Sequence, residues 1–174
     1  MRNYQRFEVR DKNAMQHWHR IVSPLKVVKN FAVIQIGRYC PSLTVKSWLY
    51  RLGLGMKIAP RVSIGLMVMV DIFFPEKISI GEDTTIGYNC TVLTHEYLHR
   101  SYHIGPVVIG KNVLIGANST LLPGVTIGDN SVVAACSLVN CDVPANTTVG
   151  GVPIRVLSPN QNITSHPKVS TRHN

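Results

Sequence analysis

Aliphatic residues recur at every sixth position through most of the chain after about residue 52. The positions form three series: Ile58, Ile64 and Val70; Ile80, Ile86 and Val92; and Ile109, Ile115, Leu121, Ile127, Val133 and Val139. A period of six fits neither an α-helix nor simple strand alternation, and hexapeptide repeats are typical of β-helices. The pattern predicts an all-β solenoid, in which each six-residue unit forms a short strand and a turn and three units close one triangular coil.

Glycine directly follows many of these aliphatic positions, at Gly65, Gly81, Gly87, Gly110, Gly116 and Gly128. We expect each glycine at a tight corner, where a Cβ atom would crowd the neighbouring coil. Burial of one Ile or Val contributes roughly 1.5–3 kcal/mol, so a dozen stacked positions offset much of the chain entropy.

Two insertions interrupt the period. The segment between Val70 and Ile80 is four residues longer than one repeat allows. The segment between Val92 and Ile109 is eleven residues longer. Loops that project from a regular scaffold often carry function, so both insertions are candidate functional segments. The second insertion, at about 93–106, contains three of the chain's seven histidines.

The residues before the repeats predict two helices. Ser23 and Pro24 mark the start of a helix that runs to about Tyr39. A second helix is predicted from Ser42 to Leu52 with Gly53 as its stop, because apolar residues follow helical spacing at Val45, Trp48, Leu49 and Leu52. We expect these helices to cap the open end of the solenoid.

Three segments follow from these patterns. Residues 1–54 are predicted to form a basic, mainly helical cap or arm, and residues 55–157 the β-helix domain. Residues 158–174 are rich in Ser, Asn, His and Thr and are expected to form a flexible tail.

Positive charge is concentrated near the start of the chain. The net charge is +9, and residues 1–61 hold 12 Lys or Arg against two Asp or Glu. No nucleic-acid motif accompanies this charge, so we expect no nucleic-acid partner. Apolar Val27, Val28, Phe31 and Ile34 alternate with Lys26, Lys29 and Arg38. Peripheral contact with an anionic membrane surface and a solvated solenoid cap both remain open.

Neither a secretory signal pattern nor an apolar run long enough to span a bilayer is present in the sequence. The four cysteines, Cys40, Cys90, Cys136 and Cys141, lack CxxC spacing and are expected to be free thiols. These features predict a cytoplasmic protein, with a peripheral position at the inner membrane face left open.

The segment 107–157, VVIGKNVLIGANSTLLPGVTIGDNSVVAACSLVNCDVPANTTVGGVPIRVL, closely resembles the C-terminal half of the galactoside, maltose and xenobiotic O-acetyltransferases. The resemblance covers roughly residues 55–157, including the histidine loop that precedes this segment. It implies a left-handed β-helix, a homotrimer with active sites between subunits, and acetyl transfer from acetyl-CoA to a hydroxyl, on a sugar or glycan-type acceptor.

The same resemblance assigns the reacting groups. His95 matches the family's general base, and imidazole suits that role near neutral pH. The backbone N–H of Ala117 matches the oxyanion donor, at a position where the family commonly has serine. Asp71 matches an acidic residue that contacts the acceptor sugar.

For acetyl-CoA, the family's groove maps to Leu114, Ala117, Ala134, Ala135, Asn140 and Arg155. Two departures weaken the match, since family members often have tryptophan in place of Leu114 and lysine in place of Cys141. Lys111 is an alternative partner for the 3′-phosphate of CoA.

A second interpretation concerns the same loop. Residues His95, Glu96 and His99 form an H-E-x-x-H pattern, which binds zinc when a helix places both histidines on one face. His103 continues the same spacing. The loop offers little room for such a helix, so no metal is expected. A third possibility is a non-catalytic β-helix scaffold.

Overall fold

A computed structural model describes residues 2–9 and 13–159. The elements before the solenoid are strand β1 (Gln5–Glu8), a 3₁₀ helix (Ala14–Arg20), helix α1 (Pro24–Tyr39) and helix α2 (Leu43–Leu54). The elements that follow are β2 (Lys57–Ile58), β3 (Ser63–Ile64), β4 (Met69–Val70), a 3₁₀ helix (Pro75–Lys77), β5 (Ile78–Ile80), β6 (Thr85–Ile86), β7 (Thr91–Val92), β8 (His95–Tyr97), β9 (Ser101–Ile104), β10 (Val107–Ile109), β11 (Leu114–Ile115), β12 (Thr120–Leu121), β13 (Thr126–Ile127), β14 (Val132–Val133), β15 (Leu138–Val139), β16 (Thr147–Gly150) and β17 (Arg155–Pro159).

Three parallel sheets form the walls of a β-helix. Their strand orders are β13-β10-β5-β2, β16-β14-β11-β6-β3 and β15-β12-β7-β4, and β17 joins β16 antiparallel at the end of the second sheet. The predicted hexad positions stack in register within each wall, as in Ile64, Ile86, Ile115 and Val133. All twelve hexad aliphatics are buried. The period of six is therefore confirmed as a stack of inward-facing residues.

The glycines after the hexads lie where adjacent coils approach closely. A Cβ atom at Gly81 would stand 2.5 Å from the carbonyl carbon of Gly110, and one at Gly116 would stand 2.4 Å from the nitrogen of Ala135. Both distances are far below a normal carbon contact, so no side chain fits there. The expected reason for these glycines is confirmed.

Both predicted helices are present, and α1 begins and ends where expected. Helix α2 continues past Gly53 to Leu54, and Gly55 ends it in a left-handed conformation at φ 72°. The predicted stop at Gly53 is therefore wrong. A Cβ at Gly53 would lie 2.9 Å from a methyl carbon of Val33, so this glycine serves the packing of α2 on α1.

Most of the apolar stripe predicted for α2 faces outward. Val45, Trp48 and Leu52 are exposed, whereas Lys46, Ser47, Tyr50 and Leu54 are buried. Leu49 of the same stripe packs against the core, and much of the remaining inner face is polar because the first coil presents carbonyl groups there. Lys46 Nζ donates to the carbonyls of Ile64 and Gly65, at 3.1 and 2.8 Å.

Two further side chains bind first-coil carbonyls in the same way. Arg51 donates to Ile58 and Ala59 at 2.8 and 2.9 Å, and Asn30 of α1 donates to Ile72 at 2.8 Å. Polar residues therefore occupy the inner helix faces, since a coil without a preceding neighbour would otherwise leave its acceptors unpaired.

The second insertion forms an antiparallel hairpin of β8 and β9, and β1 adds to its outer edge. Within the described ranges, no helix is both long and apolar enough to cross a bilayer. The expected C-terminal tail, apart from Ser158 and Pro159 of β17, lies outside the described residues.

Candidate active site

The candidate site lies where both insertions leave the same wall of the solenoid. Val70 and Val92 are paired in adjacent coils of one sheet, and each is followed directly by an insertion. Asp71 and Thr94 therefore emerge at the same edge, although they are far apart in sequence. This shared phase of Val70 and Val92 in the repeat is the sequence signal that could have brought the two insertions together.

The carboxylate of Asp71 contacts His95 directly. Its Oδ2 atom lies 2.6 Å from Nδ1 of His95, and it also accepts hydrogen bonds from the backbone N–H groups of Thr94 and His95 at 2.7 and 3.0 Å. Oδ1 accepts from the N–H groups of Phe73 and Phe74, both at 2.8 Å. Both oxygens are therefore occupied within the protein.

Asp71 is only 1% exposed. Burial raises the pKa of its carboxyl, but the hydrogen bond and charge of His95 and the N–H groups of Phe74 and Thr94 outweigh burial. The net pKa is below the usual range for aspartate, so the group is a carboxylate at neutral pH. A buried carboxylate with both oxygens engaged is poorly placed to meet an acceptor, which differs from the contact expected from the sequence.

The pairing with Asp71 orients the ring of His95. An ionised carboxylate accepts hydrogen bonds only, so Nδ1 of His95 carries the proton in this contact. In the neutral ring, Nε2 is then the nitrogen with a free lone pair. The His95 side chain is 16% exposed, so part of the ring is accessible to solvent.

Aromatic side chains surround His95. Its ring centroid lies 4.5 Å from that of Phe73 and 5.5 Å from that of Tyr97. Trp18, from the first 3₁₀ helix, stacks on Phe73 at 5.8 Å. Burial raises the pKa of Tyr97 to about 12, so its phenol remains neutral. Phe73, Tyr97 and Trp18 were not identified from the sequence, because none belongs to a recognisable motif.

The other polar residues of the hairpin form a separate cluster. Nδ1 of His103 lies 2.7 Å from Glu96 Oε1, and Arg2 lies 3.1 Å from the same oxygen. Tyr4 stacks on His103 at 4.4 Å. Burial raises the pKa of Glu96, but the hydrogen bonds and charges of His103 and Arg2 lower it by more. The net pKa is below the usual value for glutamate. This cluster joins the start of the chain to the hairpin.

The H-E-x-x-H pattern does not lie on a helix. His95 and Glu96 are neighbours on strand β8, while His99 is exposed in the turn. His95 is paired with Asp71 and Glu96 with His103, so the pattern's residues have different partners. Among the described residues, no group of three His, Cys, Asp or Glu side chains is arranged to hold a metal ion. The helix that this zinc motif requires is therefore missing from the hairpin.

The residues expected to bind CoA lie on the solenoid surface. Ala117 and Ala134 are partly exposed. The exposed members are Lys111, Leu114, Ala135, Asn140, Arg155 and the nearby Cys141. Within the described part of one chain, no hydrogen bond, ion pair or ring contact links any of them to His95. The Ala117 carbonyl accepts from Cys136, but its N–H has no acceptor among the described residues.

The solenoid of six-residue repeats, with a histidine–carboxylate pair between its two insertions, points to the hexapeptide-repeat transferases. Two family models agree with this class. Residues 106–141 match the bacterial transferase hexapeptide model of six repeats, and residues 77–93 match the hexapeptide repeat of succinyl-transferase.

Relatives of known sequence extend the match over nearly the whole chain. The "Putative acetyltransferase YvoF" of Bacillus subtilis (strain 168) is 55% identical over 157 residues, which cover 90% of this chain and 91% of that protein. The galactoside O-acetyltransferase of Escherichia coli (strain K12) is 42% identical over 87 residues, or 46% of this chain and 43% of that protein. The chain belongs to the hexapeptide-repeat acetyltransferase family.

Solved structures agree with the fold. The Vibrio cholerae acetyltransferase VCA0836, determined with acetyl coenzyme A, has a TM-score of 0.63 at 25% identity and covers 79% of this chain and 88% of its own. A galactoside acetyltransferase in complex with coenzyme A has a TM-score of 0.62 at 25% identity, covering 79% of this chain and 82% of its own. The family implies that the β-helix is left-handed, as the repeat resemblance predicts.

Proposed function

We propose that the protein is a CoA-dependent O-acyltransferase, which transfers the acetyl group of acetyl-CoA to a hydroxyl of a sugar or glycan-type acceptor. The contact between Asp71 and His95 is the observation that supports this most, because it leaves Nε2 of His95 able to accept a proton. A positioned general base of this kind contributes about 10²–10⁴-fold to a rate.

In the proposed reaction, Nε2 of His95 takes the proton of the acceptor hydroxyl while the hydroxyl oxygen attacks the thioester carbonyl carbon. The backbone N–H of Ala117 donates a hydrogen bond to the developing oxyanion, an interaction worth about 2.7–4 kcal/mol. The carbon–sulfur bond then breaks, and His95 returns its proton to the departing sulfur. The products are an acetyl ester and free CoA.

Asp71 acts in this proposal as a positioning residue. Its carboxylate holds His95 through Nδ1 and stabilises the positive ring that forms when Nε2 is protonated. The four backbone N–H groups around its oxygens fix the carboxylate itself. The role differs from the acceptor contact expected from the sequence, since the buried side chain has no free oxygen lone pair directed outward.

For the donor substrate, we propose a groove along the coils that contains Leu114, Ala117, Ala134, Ala135, Asn140 and Arg155. The small side chains of Ala134 and Ala135 leave room for pantetheine. Lys111 is exposed and is proposed to replace, as partner of the 3′-phosphate, the lysine that the family often has at the position of Cys141. Acetyl-CoA bound to VCA0836 and CoA bound to a galactoside acetyltransferase support this choice of donor.

For the acceptor, the aromatic residues beside His95 favour a ring compound with one apolar face. Phe73 and Tyr97 pack around the imidazole, and Trp18 extends the aromatic surface. Mostly apolar walls with a few polar groups are usual for small-molecule sites. The named activity of the E. coli relative, galactoside O-acetylation, supports a sugar hydroxyl.

We further propose a homotrimer in the cytoplasm, with each site shared between neighbouring subunits. The unbonded N–H of Ala117 and the absence of contacts from the proposed groove to His95, within the described part of one chain, support a site completed by a second subunit. Residues 1–54, 55–157 and 158–174 are proposed as cap, catalytic β-helix and tail.

The experiment is a screen of hydroxyl acceptors with free thiol release from acetyl-CoA as the readout. Monosaccharides, disaccharides, amino sugars and simple alcohols are compared, with His95→Ala as the blank. We expect thiol release with at least one sugar and a product that mild alkali cleaves, since esters are alkali-labile. An alkali-stable acetyl amide as the sole product would contradict O-transfer, and equal release by His95→Ala would contradict the assigned base.

A further inference from the structure

The outward surface of the two helices is apolar. Nine of the 20 exposed large hydrophobic side chains lie on α1 and α2, which is far more than two short helices would carry by chance. We call this set the outer helical face; its members are Leu25, Val28, Phe31, Ile36, Tyr39, Leu43, Val45, Trp48 and Leu52. Exposed apolar surface concentrated in this way marks a site of interaction.

This exposure follows from how the helices are built. Their inner faces carry Asn30, Lys46 and Arg51, whose side chains bind the free carbonyls of the first coil. Burial lowers the pKa of Lys46, and its ammonium is nevertheless held between two carbonyl oxygens. Ile34, Tyr50 and Leu54 join the core beside these polar residues, and the nine apolar residues of the outer helical face are left exposed. An ordinary solvated cap has the opposite arrangement.

The segment that carries this face contains basic residues and no acidic ones. Residues 12–70 contain nine Lys or Arg and no Asp or Glu. Lys26 is paired with Glu76 at 2.8 Å, whereas Lys29 is exposed on α1 with no acidic partner among the described residues. Exposed Tyr39 and Trp48 complete the set, and such aromatics favour the boundary between lipid and water.

A second copy of the chain is a poor match for this face. The described carboxylates already have partners: Glu8 with Arg6, Asp71 with His95, Glu76 with Lys26, Glu82 and Asp83 with Arg61, Glu96 with Arg2, Asp129 with Lys111 N–H, and Asp142 with Thr126 N–H. Five of these eight carboxylates are paired with Lys or Arg and Asp71 is buried, so a partner protomer would offer little negative charge to match this face. An anionic lipid surface offers both apolar contact and negative charge.

We propose that the outer helical face docks on an anionic membrane surface, with its apolar residues in the headgroup region and Lys29 on lipid phosphates. Apolar insertion combined with basic charge is how interfacial helices bind reversibly. The site lies close to this face, because Lys26 of α1 stands 5.2 Å from the ring of Phe74, which is in edge contact with His95. If the proposed function holds, docking brings His95 near acceptors carried by lipid.

The test is flotation of the full-length protein with vesicles of phosphatidylcholine alone or with about one third phosphatidylglycerol, in 50 mM and 500 mM salt. We expect binding to the anionic vesicles only, weakened at high salt because charge is then screened. The triple variant Leu25→Ser, Val28→Ser, Ile36→Ser should bind at least about tenfold more weakly. Lys29→Gln should lower binding by about fivefold.

Matched controls separate this face from the general surface. Val108→Ser with Val156→Ser removes two exposed valines outside the helices, and Lys111→Gln removes an exposed charge from the solenoid; both variants should float as the unmodified protein does. Circular dichroism melts confirm that each variant is folded. The proposal is overturned if the protein floats with neither vesicle type. It is also overturned by a loss of oligomeric mass in the triple variant by light scattering, because the face is then a subunit interface. Flotation requires no catalysis, so its result is independent of the acceptor screen.

Discussion

Asp71 Oδ2 lies 2.6 Å from Nδ1 of His95 across 24 residues of sequence. The two residues meet because Val70 and Val92 pair in adjacent coils, and each insertion begins directly after its valine. The regular scaffold therefore fixes the distance between a proton-accepting ring and the carboxylate that orients it. This contact is the basis of the first three predictions.

Substitution of His95 by alanine should lower turnover by at least about a hundredfold while the affinity for CoA is nearly unchanged, since the base is lost and the groove remains. Steady-state kinetics and calorimetric titration with CoA measure the two effects. His99→Ala is the matched control, because His99 is exposed in the hairpin turn and should leave turnover close to normal. Normal turnover in His95→Ala with an inactive His99→Ala would transfer the role to His99.

Asp71→Asn should reduce kcat by at least about a hundredfold with little change in the KM for acetyl-CoA. The amide that replaces the carboxylate can donate to Nδ1, which places the ring proton on Nε2, where it blocks proton acceptance. Nitrogen-15 NMR of the histidine rings reports this change of tautomer, which a purely structural defect would not cause. Asp83→Asn, at an exposed aspartate paired with Arg61, is the control. An unchanged tautomer together with reduced kcat would contradict the positioning role.

The stability of the protein should depend on the ionisation of Asp71. Its pKa in the folded protein is below the ordinary value, so its stabilisation is fully present above about pH 3.9, the usual value in unfolded chains. The stabilisation is lost as the pH falls through the lower folded value. Urea unfolding of the protein and of Asp71→Asn at pH 7, 4 and 3 should show a difference in free energy of unfolding that shrinks at acid pH. A difference that stays constant over this range would contradict the linkage.

Static light scattering should give three times the chain mass of 19.3 kDa. A shared site makes a sharper prediction for co-expressed variants. His95→Ala removes the base, and Ala135→Trp fills the proposed CoA groove; each variant alone should be inactive. If the base and the groove come from different subunits, random mixing of the two variant subunits leaves about one quarter of the active sites with both an intact base and an intact groove. A monomer, or mixed trimers without any activity, would contradict sites between subunits.

All twelve hexad residues that the period of six identified are buried, because each six-residue unit repeats the same requirement for one inward aliphatic; Val149, which continues the column after Val133, lay beyond the predicted series. The apolar spacing of α2 predicted the helix but not its inner face, since Val45, Trp48 and Leu52 point outward. An apolar stripe predicts that a helix buries one face, but it contains no information about the free carbonyls that Lys46 binds instead. The two helix faces could only be assigned once the edge of the first coil was known.

The site was predicted unevenly for a related reason. His95 lies in the histidine loop of the family, so the resemblance identified it. The contact with Asp71 depends on which edges of the coil the two insertions share, and the aromatic neighbours Phe73 and Trp18 depend on how separate segments fold back together. Strand β1 was missed altogether, because four residues of mixed polarity have no pattern until a hairpin edge is available to pair with them.

The residues just before β1 have a practical consequence for handling the protein. The backbone of Asn3 passes between Gly105 and Gly124, where a Cβ at either glycine would lie within 2.7 Å of the Asn3 carbonyl oxygen, and the Asn3 N–H donates to Gly124 at 2.7 Å. Arg2 is bonded to Glu96, next to His95 in the same strand. A purification tag fused at the N-terminus would lie next to these contacts, so activity should be measured after such a tag has been removed by a protease.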